Sequence, residues 1–280
     1  MKWQQGRRSS NVDDRRKSGQ GGKRVSLGIG GIVIVGVLAL VLGLNPLEMI
    51  SQFTSSPQNT QTSSELNPRH EVWAEMCSVV LADTEDTWKA LFAERGQTYR
   101  EPRLVLYTGT VQTAAGMAEA STGPFYLPAD ETIYIDLSFF DELAGRFNAP
   151  GDFAQAYVLA HEVGHHVQNL LGILEQGHRI MAENPGKEAN RISVLMELQA
   201  DYLAGVWAHY AQKSANLQLD EGDIREGLSA AAAVGDDRLQ EQARGYAVPD
   251  SFTHGSSEQR TQAFMAGFQS GDFSEVFQQN

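Results

Sequence analysis

The fold depends first on the stretch from Asp152 to Gly172, which reads D-F-A-Q-A-Y-V-L-A-H-E-V-G-H-H-V-Q-N-L-L-G. Apolar side chains fill nearly every position except those around the histidines, a pattern typical of a buried α-helix with one polar stripe. Asp152 followed by Gln155 predicts a capping box at the start, and Gly172 is a common residue just after a helix end. We therefore expect a core helix whose polar stripe lines a cleft.

The polar stripe carries the H-E-x-x-H spacing, in His161, Glu162 and His165. Residues four apart lie one turn above each other on the same helix face, so both imidazoles can reach one metal ion. The spacing is typical of zinc sites in which the glutamate acts as a base. Chance is the competing explanation, and the presence of only seven histidines in 280 residues makes it an uncommon one.

A catalytic zinc ion usually has a third protein ligand. The extension H-E-x-x-H-x-x-G-x-x-H does not supply it, because Gln168 and Leu171 replace its glycine and its last histidine. His178, in a predicted loop after the motif helix, is a weak rival for this position. His166 points about 100° around the helix from its neighbour, so we expect it to pack rather than bind metal.

The better candidate lies in a second predicted helix, residues 187–212. Glu197 and Asp201 are four apart there on an otherwise apolar face. A buried pair of carboxylates needs a compensating partner, which a metal ion and its histidines would supply. We expect Glu197 to be the third ligand and Asp201 to accept the second N–H of a ligand histidine. The alternative is an ordinary pair of salt bridges to Arg191 or Lys187.

This geometry predicts a hydrolase with one Zn²⁺ per chain. Zinc would lower the pKa of a bound water and polarise a substrate carbonyl, while Glu162 takes the proton of the water and later delivers it to the leaving amine. His254 could add a donor for the oxyanion, although a local loop role explains it equally well. The expected reaction is cleavage of a peptide bond.

Two other functions use the same residues. One is a zinc-stabilised scaffold or adaptor without significant hydrolysis, which would need the ligands but no base. The intact Glu162 favours an enzyme over that scaffold. The other is hydrolysis of a non-peptide amide, such as a cell-wall bond, which the sequence does not distinguish from peptide hydrolysis.

The charge of the chain is divided unevenly. The net charge is −13, but residues 1–24 hold eight basic side chains against two acidic ones. The rest of the chain is therefore strongly acidic, which argues against a nucleic acid as partner because phosphate binding needs the opposite sign. We expect the partner to be a peptide or protein substrate.

Residues 25–44 read V-S-L-G-I-G-G-I-V-I-V-G-V-L-A-L-V-L-G-L and contain no charge. Twenty such residues are long enough for a helix to cross a bilayer, so we expect a transmembrane anchor. A cleaved signal peptide and a buried core helix are the alternatives. The basic residues in front predict a cytoplasmic N-terminus, with the domain after the anchor outside the cytoplasm.

The remaining chain divides by composition. Residues 1–24 predict a disordered basic tail, residues 45–67 a Ser/Thr/Gln-rich linker, and residues 68–280 a zinc metallopeptidase domain. Within the domain, alternating β-rich runs predict two strands and helical spacing predicts four helices besides the motif helix. These strands cover residues 103–108 and 132–137, and these helices cover 69–96, 187–212, 223–242 and 257–267. The order predicts a mostly helical α+β fold with a small sheet.

Many segments resemble one family, the putative neutral zinc metallopeptidase family of bacterial envelopes. They are H-E-V-G-H-H-V-Q at 161–168, M-E-L-Q-A-D at 196–201, T-E-D-T-W at 84–88, G-P-F-Y at 123–126, Y-I-D-L-S-F at 134–139, G-D-D-R-L-Q at 235–240, P-D-S-F-T-H-G at 249–255, and the opening M-K-W-Q-Q-G-R-R-S-S-N-V-D-D-R-R at 1–16.

The resemblance implies a zincin-like fold in which a sheet edge strand, placed at about residues 132–137, runs above the motif helix and holds an extended substrate. It implies the same zinc ligands, His161, His165 and Glu197, and the same base, Glu162. It does not imply which substrate is cut.

Overall fold

A computed structural model of the chain describes residues 1–16, 67–220 and 222–274. The predicted anchor (25–44) and almost all of the predicted linker (45–67) lie outside these ranges. Among the described helices, none combines the length and the apolar character that crossing a bilayer requires.

The described residues form a mostly helical α+β fold with a small mixed sheet, as the sequence predicts. Six strands lie in chain order: β1 (Val12–Asp14), β2 (Arg103–Tyr107), β3 (Thr110–Thr113), β4 (Gly116–Glu119), β5 (Phe125–Leu127) and β6 (Thr132–Asp136). The described α-helices are α1 (Pro68–Ala93), α2 (Ser138–Gly145), α3 (Asp152–Leu170), α4 (Ile173–Glu183), α5 (Lys187–Ala211), α6 (Asp223–Ala233), α7 (Asp236–Arg244) and α8 (Ser257–Ser270).

The main sheet has the order β1-β2-β6-β5. The first three strands are parallel, and β5 runs antiparallel to β6. Alternate side chains of the central strands point to opposite faces. Leu104, Leu106, Ile133 and Ile135 join the core formed with the helices, whereas Val105, Tyr107 and Tyr134 pack on the β3–β4 hairpin.

The order of strands corrects one expectation. The strand at 132–136 is not an edge strand, because it pairs with β2 on one side and β5 on the other. Within the described residues, the edge next to the motif helix is Phe125–Leu127, and the Tyr126 hydroxyl hydrogen-bonds His166 Nδ1 of that helix at 2.9 Å. The sequence lacked a pairing order, so it could not tell an inner strand from an outer one.

The motif helix runs from Asp152 to Leu170, close to its predicted bounds. Its end is as expected, since Gly172 takes a left-handed conformation with φ 75°. The prediction of a capping box is wrong, because Gly151 is the N-cap and no side chain caps the helix. Asp152 instead accepts a hydrogen bond from the amino nitrogen of Met1 at 3.1 Å.

The single helix expected over residues 223–242 is two helices. The break falls at Val234 and Gly235, where Gly235 has extended backbone angles. A Cβ at Gly235 would lie 2.4 Å from the backbone nitrogen of Ser257, so the chain bends where it passes the start of α8.

The prediction of disorder over residues 1–24 is wrong for residues 1–16. Val12–Asp14 form β1, and Trp3 lies in the main core with 6% of its surface exposed. Some of the basic charges that suggested a solvated tail are paired with acidic groups of α1: Arg7 with Glu85 at 3.0 Å, and Arg8 with Glu75. Composition does not show such partners, which lie far along the chain.

Candidate metal centre

Two helices meet backbone to backbone at the site. A Cβ at Gly164 of α3 would lie 2.8 Å from the carbonyl oxygen of Ala200 in α5, so only glycine allows this approach. Since Gly164 immediately precedes His165, and Ala200 is three residues after Glu197, the crossing brings the predicted ligands of the two helices together.

The three predicted ligands face one another. His161 Nε2 lies 3.2 Å from Glu197 Oε2, and His165 Nε2 lies 3.5 Å from Glu197 Oε1. One ligand atom of each lies within 4.8 Å of the others. Bonds of about 2.0–2.1 Å in a tetrahedral arrangement separate neighbouring zinc ligands by about 3.3 Å. The donor set and its spacing therefore fit a zinc ion.

Each imidazole is held by its other nitrogen. His161 Nδ1 lies 2.8 Å from Asp201 Oδ1, as the spacing of Glu197 and Asp201 predicts. His165 Nδ1 lies 2.9 Å from Gln168 Oε1, whose amide nitrogen in turn donates to the Met196 carbonyl at 2.7 Å. Because both Nδ1 atoms face these acceptors, each Nε2 is the nitrogen that faces the shared centre and is available to a metal.

Asp201 is the hub of a buried network. Arg260 of α8 donates to it from Nε at 2.8 Å and from Nη2 at 3.0 Å. The hydroxyl of Tyr157, one turn before His161 in α3, also donates to Asp201. A fully buried carboxylate is therefore compensated by a guanidinium, a phenol and an imidazole.

The charges in this network shift its pKa values. Burial alone would raise the pKa of Asp201, but Arg260 and His161 outweigh it and bring the pKa to about 2. Burial would likewise raise the pKa of Glu197, which the two imidazoles hold well below its usual range. Burial lowers the pKa of His161, yet Asp201 and Glu197 raise it to about 10. The site thus gathers two carboxylates that favour a bound cation.

Glu162 lies beside these ligands and is 7% exposed. Burial raises its pKa, although the nearby imidazoles of His165 and His161 act in the opposite direction. A carboxylate with a raised pKa is a stronger base than an exposed one, which is the property that proton transfer at neutral pH requires.

His254 lies on the loop before α8, with its side chain 42% exposed. Its Nδ1 is 3.3 Å from Asp236 Oδ1, and the other oxygen of Asp236 accepts the backbone N–H of Thr253, His254 and Gly255 at 2.6–3.1 Å. Burial lowers the pKa of His254, but Asp236 and the more distant Glu197 outweigh it and raise it. The loop is fixed, and its imidazole lies within electrostatic range of the candidate ligands.

The other histidines lie apart from this cluster. His166 is fully buried and its Nε2 lies 2.6 Å from the Arg100 carbonyl, so it packs as expected. His178 lies in α4, not in a loop, and it is exposed. It is not among the described residues whose ligand atoms converge at this centre.

Among the described contacts, neither Glu197 nor Asp201 forms the alternative salt bridge to Arg191 or Lys187. Arg191 pairs with Glu188 at 2.7 Å, and Lys187 pairs with Asp250. Both basic residues therefore have partners near the start of α5, away from Glu197 and Asp201.

The sequence did not predict the roles of three residues of the centre. Gln168 had a detectable signal, since it lies three residues after His165 on the same helix. Tyr157 had a similar one, four residues before His161. Arg260 had none, because it comes from a helix 59 residues beyond Asp201 and nothing local marks it.

The chain is similar to known proteins over most of its length. The family described as "Putative neutral zinc metallopeptidase" matches residues 1–277. The Escherichia coli K12 protein named "Uncharacterized protein YpfJ" is 47% identical over 279 residues, covering 97% of this chain and 96% of that protein. The Mycobacterium tuberculosis H37Rv protein named "Uncharacterized protein Rv2575" is 44% identical over 207 residues, covering 70% of this chain and 68% of that protein.

No solved structure matches the chain. The family match extends over nearly the whole sequence and includes both helices that form the candidate centre. This chain therefore belongs to the family described as putative neutral zinc metallopeptidase.

Proposed function

We propose that the chain is a zinc-dependent peptidase that holds its metal with His161, His165 and Glu197 and uses Glu162 as the base. One observation carries this proposal. The two Nε2 atoms and the Glu197 carboxylate converge at zinc-ligand spacing, while the buried carboxylate of Glu162, which is not needed as a ligand, is within electrostatic range of all three. A purely structural site would have no use for that fourth group.

A zinc ion bound there would act as a Lewis acid that polarises the substrate carbonyl and lowers the pKa of water. The carboxylate of Glu162 then accepts a proton from the attacking water and passes it to the leaving nitrogen. Asp201 and Gln168 keep the ligand imidazoles in the required orientation throughout.

His254 is proposed as the donor to the oxyanion. Asp236 orients its Nδ1 and raises its pKa, which favours a charged imidazole that donates from Nε2. The outer edge of β5 (Phe125–Leu127) is the proposed place for an extended substrate, since this strand contacts the motif helix through the hydrogen bond of Tyr126 with His166.

The test compares the purified full-length chain with Glu162→Gln and with Glu175→Gln, an exposed glutamate of α4. Bound zinc is measured by elemental analysis and cleavage is measured on unfolded casein. We expect one zinc per chain in all three proteins and chelator-sensitive cleavage in all but Glu162→Gln, whose rate falls at least about a hundredfold.

Other outcomes separate the alternatives. Zinc in all three proteins without any cleavage favours the scaffold or hydrolysis of a non-peptide amide, which cell-wall fragments would then test. Cleavage by Glu162→Gln at the normal rate would contradict the assigned base. Attachment to a membrane through residues 25–44 stays a prediction.

A further inference from the structure

The first residues of the chain contribute to the core of the domain formed by residues 67–220 and 222–274. Trp3 is 6% exposed within the main core cluster. Lys2 and Gln218 exchange backbone hydrogen bonds of 2.8 and 2.9 Å. A Cβ at Gly6 would lie 2.5 Å from the Asn216 carbonyl oxygen, so the segment lies directly against the domain backbone.

The same segment neutralises a buried acid of α1. Glu85 is 1% exposed, and its carboxylate binds Arg7 at 3.0 Å, the Asn11 amide at 2.9 Å and the Ser9 hydroxyl. All three side chains belong to residues 1–16. The segment therefore supplies side-chain partners that compensate the burial of this charge.

The segment also completes the sheet. Val12–Asp14 pair in parallel with Leu104–Leu106, and the ladder is extended by the bond from Arg15 N to the Leu106 carbonyl at 2.8 Å. Removal of this strand would expose the edge of β2, the strand that pairs with β6 in the centre of the fold.

The last described residue of the segment, Arg16, contacts the first turn of α1. Arg16 has a buried side chain whose Nη1 donates to the His70 carbonyl at 3.0 Å and whose Nη2 lies 3.4 Å from Glu71. His70 and Glu71 lie in the first turn of α1. Residue 16 and the first turn of α1 therefore lie next to each other.

We propose that residues 1–16 and the domain fold as one unit, and that both consequently lie on the same side of any membrane that residues 25–44 enter. A helix that crosses a bilayer once puts the two chain segments that flank it on opposite sides. One molecule cannot combine that arrangement with the contacts of Trp3, Glu85 and β1. The proposal replaces the expected topology, in which the N-terminus and the domain are separated.

Cysteine labelling of the full-length chain tests this directly. Gln5→Cys places a thiol on the exposed part of the segment, and Ala182→Cys places one on the exposed surface of α4. Cys77, the only cysteine of the sequence, is 1% exposed and serves as the unlabelled background in the unchanged chain. A membrane-impermeant maleimide is applied to intact bacterial cells and to permeabilised ones.

We expect the two cysteines to behave alike, both labelled in intact cells or both labelled only after permeabilisation. Labelling of one from outside and the other only after permeabilisation would overturn the proposal. This readout does not depend on zinc or on peptidase activity, so it stands apart from the proposed function.

A stability measurement tests the docking itself. Trp3→Ala in the full-length chain should lower the melting temperature by about 10 °C, since truncation of a buried Trp is among the most costly core substitutions. Gln5→Ala, on the exposed side of the same segment, should leave it unchanged. An unchanged melting temperature for Trp3→Ala would contradict the proposal.

Discussion

Hydrogen bonds from neighbouring side chains fix the orientation of the candidate metal ligands. Asp201 carries no expected bond to metal, yet it is fully buried and joins His161 to Arg260. The sequence could predict Asp201 because it is one turn from Glu197. It could not predict Arg260, whose role depends on how α8 packs against α5.

Asp201→Asn tests the supporting network. The amide has one acceptor oxygen instead of two, so it cannot keep all the hydrogen bonds to His161 and Arg260, and Arg260 loses its counter-charge. We expect zinc affinity to fall about 10–100-fold, as measured by competition with a chromogenic chelator. Asp250→Asn, an exposed carboxylate near the start of α5, is the matched control. Equal affinities in the two variants would show that Asp201 does not support the site.

His254 and Asp236 give a pH-dependent term in stability. The folded pKa of His254 is raised and that of Asp236 is lowered. The His254 contribution is therefore complete below the ordinary histidine pKa of about 6.5 and is lost as the pH rises through the raised value. His254→Ala should lower the free energy of unfolding at about pH 6 by less than about 1 kcal/mol, because the side chain is 42% exposed.

The same variant should match the unchanged chain at alkaline pH, where the imidazole is neutral in both folded and unfolded states. Urea unfolding at the two pH values measures the difference. A deficit that grew with pH would reverse the expected sign and contradict the ion pair.

At the scale of elements, the site depends on how closely α3 and α5 approach. Periodicity predicted both helices with nearly correct bounds, since each has a long apolar face. It did not predict the contact of Gly164 with Ala200, because a glycine within a helix reveals neither its neighbour nor its distance. For the same reason the pairing order of β2, β6 and β5 could not be derived from the strands alone.

Gly164→Ala tests that approach. The added methyl would lie 2.8 Å from a backbone oxygen, so the helices must separate by a few tenths of an ångström. We expect a loss of about 1–3 kcal/mol in the free energy of unfolding, together with weaker zinc binding. Gly145→Ala at the end of α2 has open space around it and should be neutral or stabilising by up to about 1 kcal/mol. A neutral Gly164→Ala would show that the crossing is not tight.

At the scale of the whole molecule, the fold joins parts that are distant in sequence. Residues 1–16 complete the sheet and α8 supplies Arg260 to the centre. Composition predicted a solvated tail because eight basic residues among the first 24 have no local acidic partners in sufficient number. Some of the partners are on α1, where Glu85 and Asp86 both bind Arg7.

Metal removal should lower the stability of the whole folded domain. The centre links α3, α5 and, through Arg260, α8, so a bound ion stabilises the folded state in proportion to its affinity and concentration. We expect a strong chelator to lower the melting temperature and added zinc to restore it, both in the unchanged chain and in Glu162→Gln. A melting temperature that is insensitive to zinc would count against metal binding at this centre.

The central claim is that His161, His165 and Glu197 hold one zinc ion. Anomalous diffraction at the zinc absorption edge, from crystals of the full-length chain grown with zinc, tests it most directly. We expect a single strong peak about 2.0–2.2 Å from both Nε2 atoms and from a Glu197 oxygen. A peak elsewhere, or none between the three side chains at saturating zinc, would contradict it.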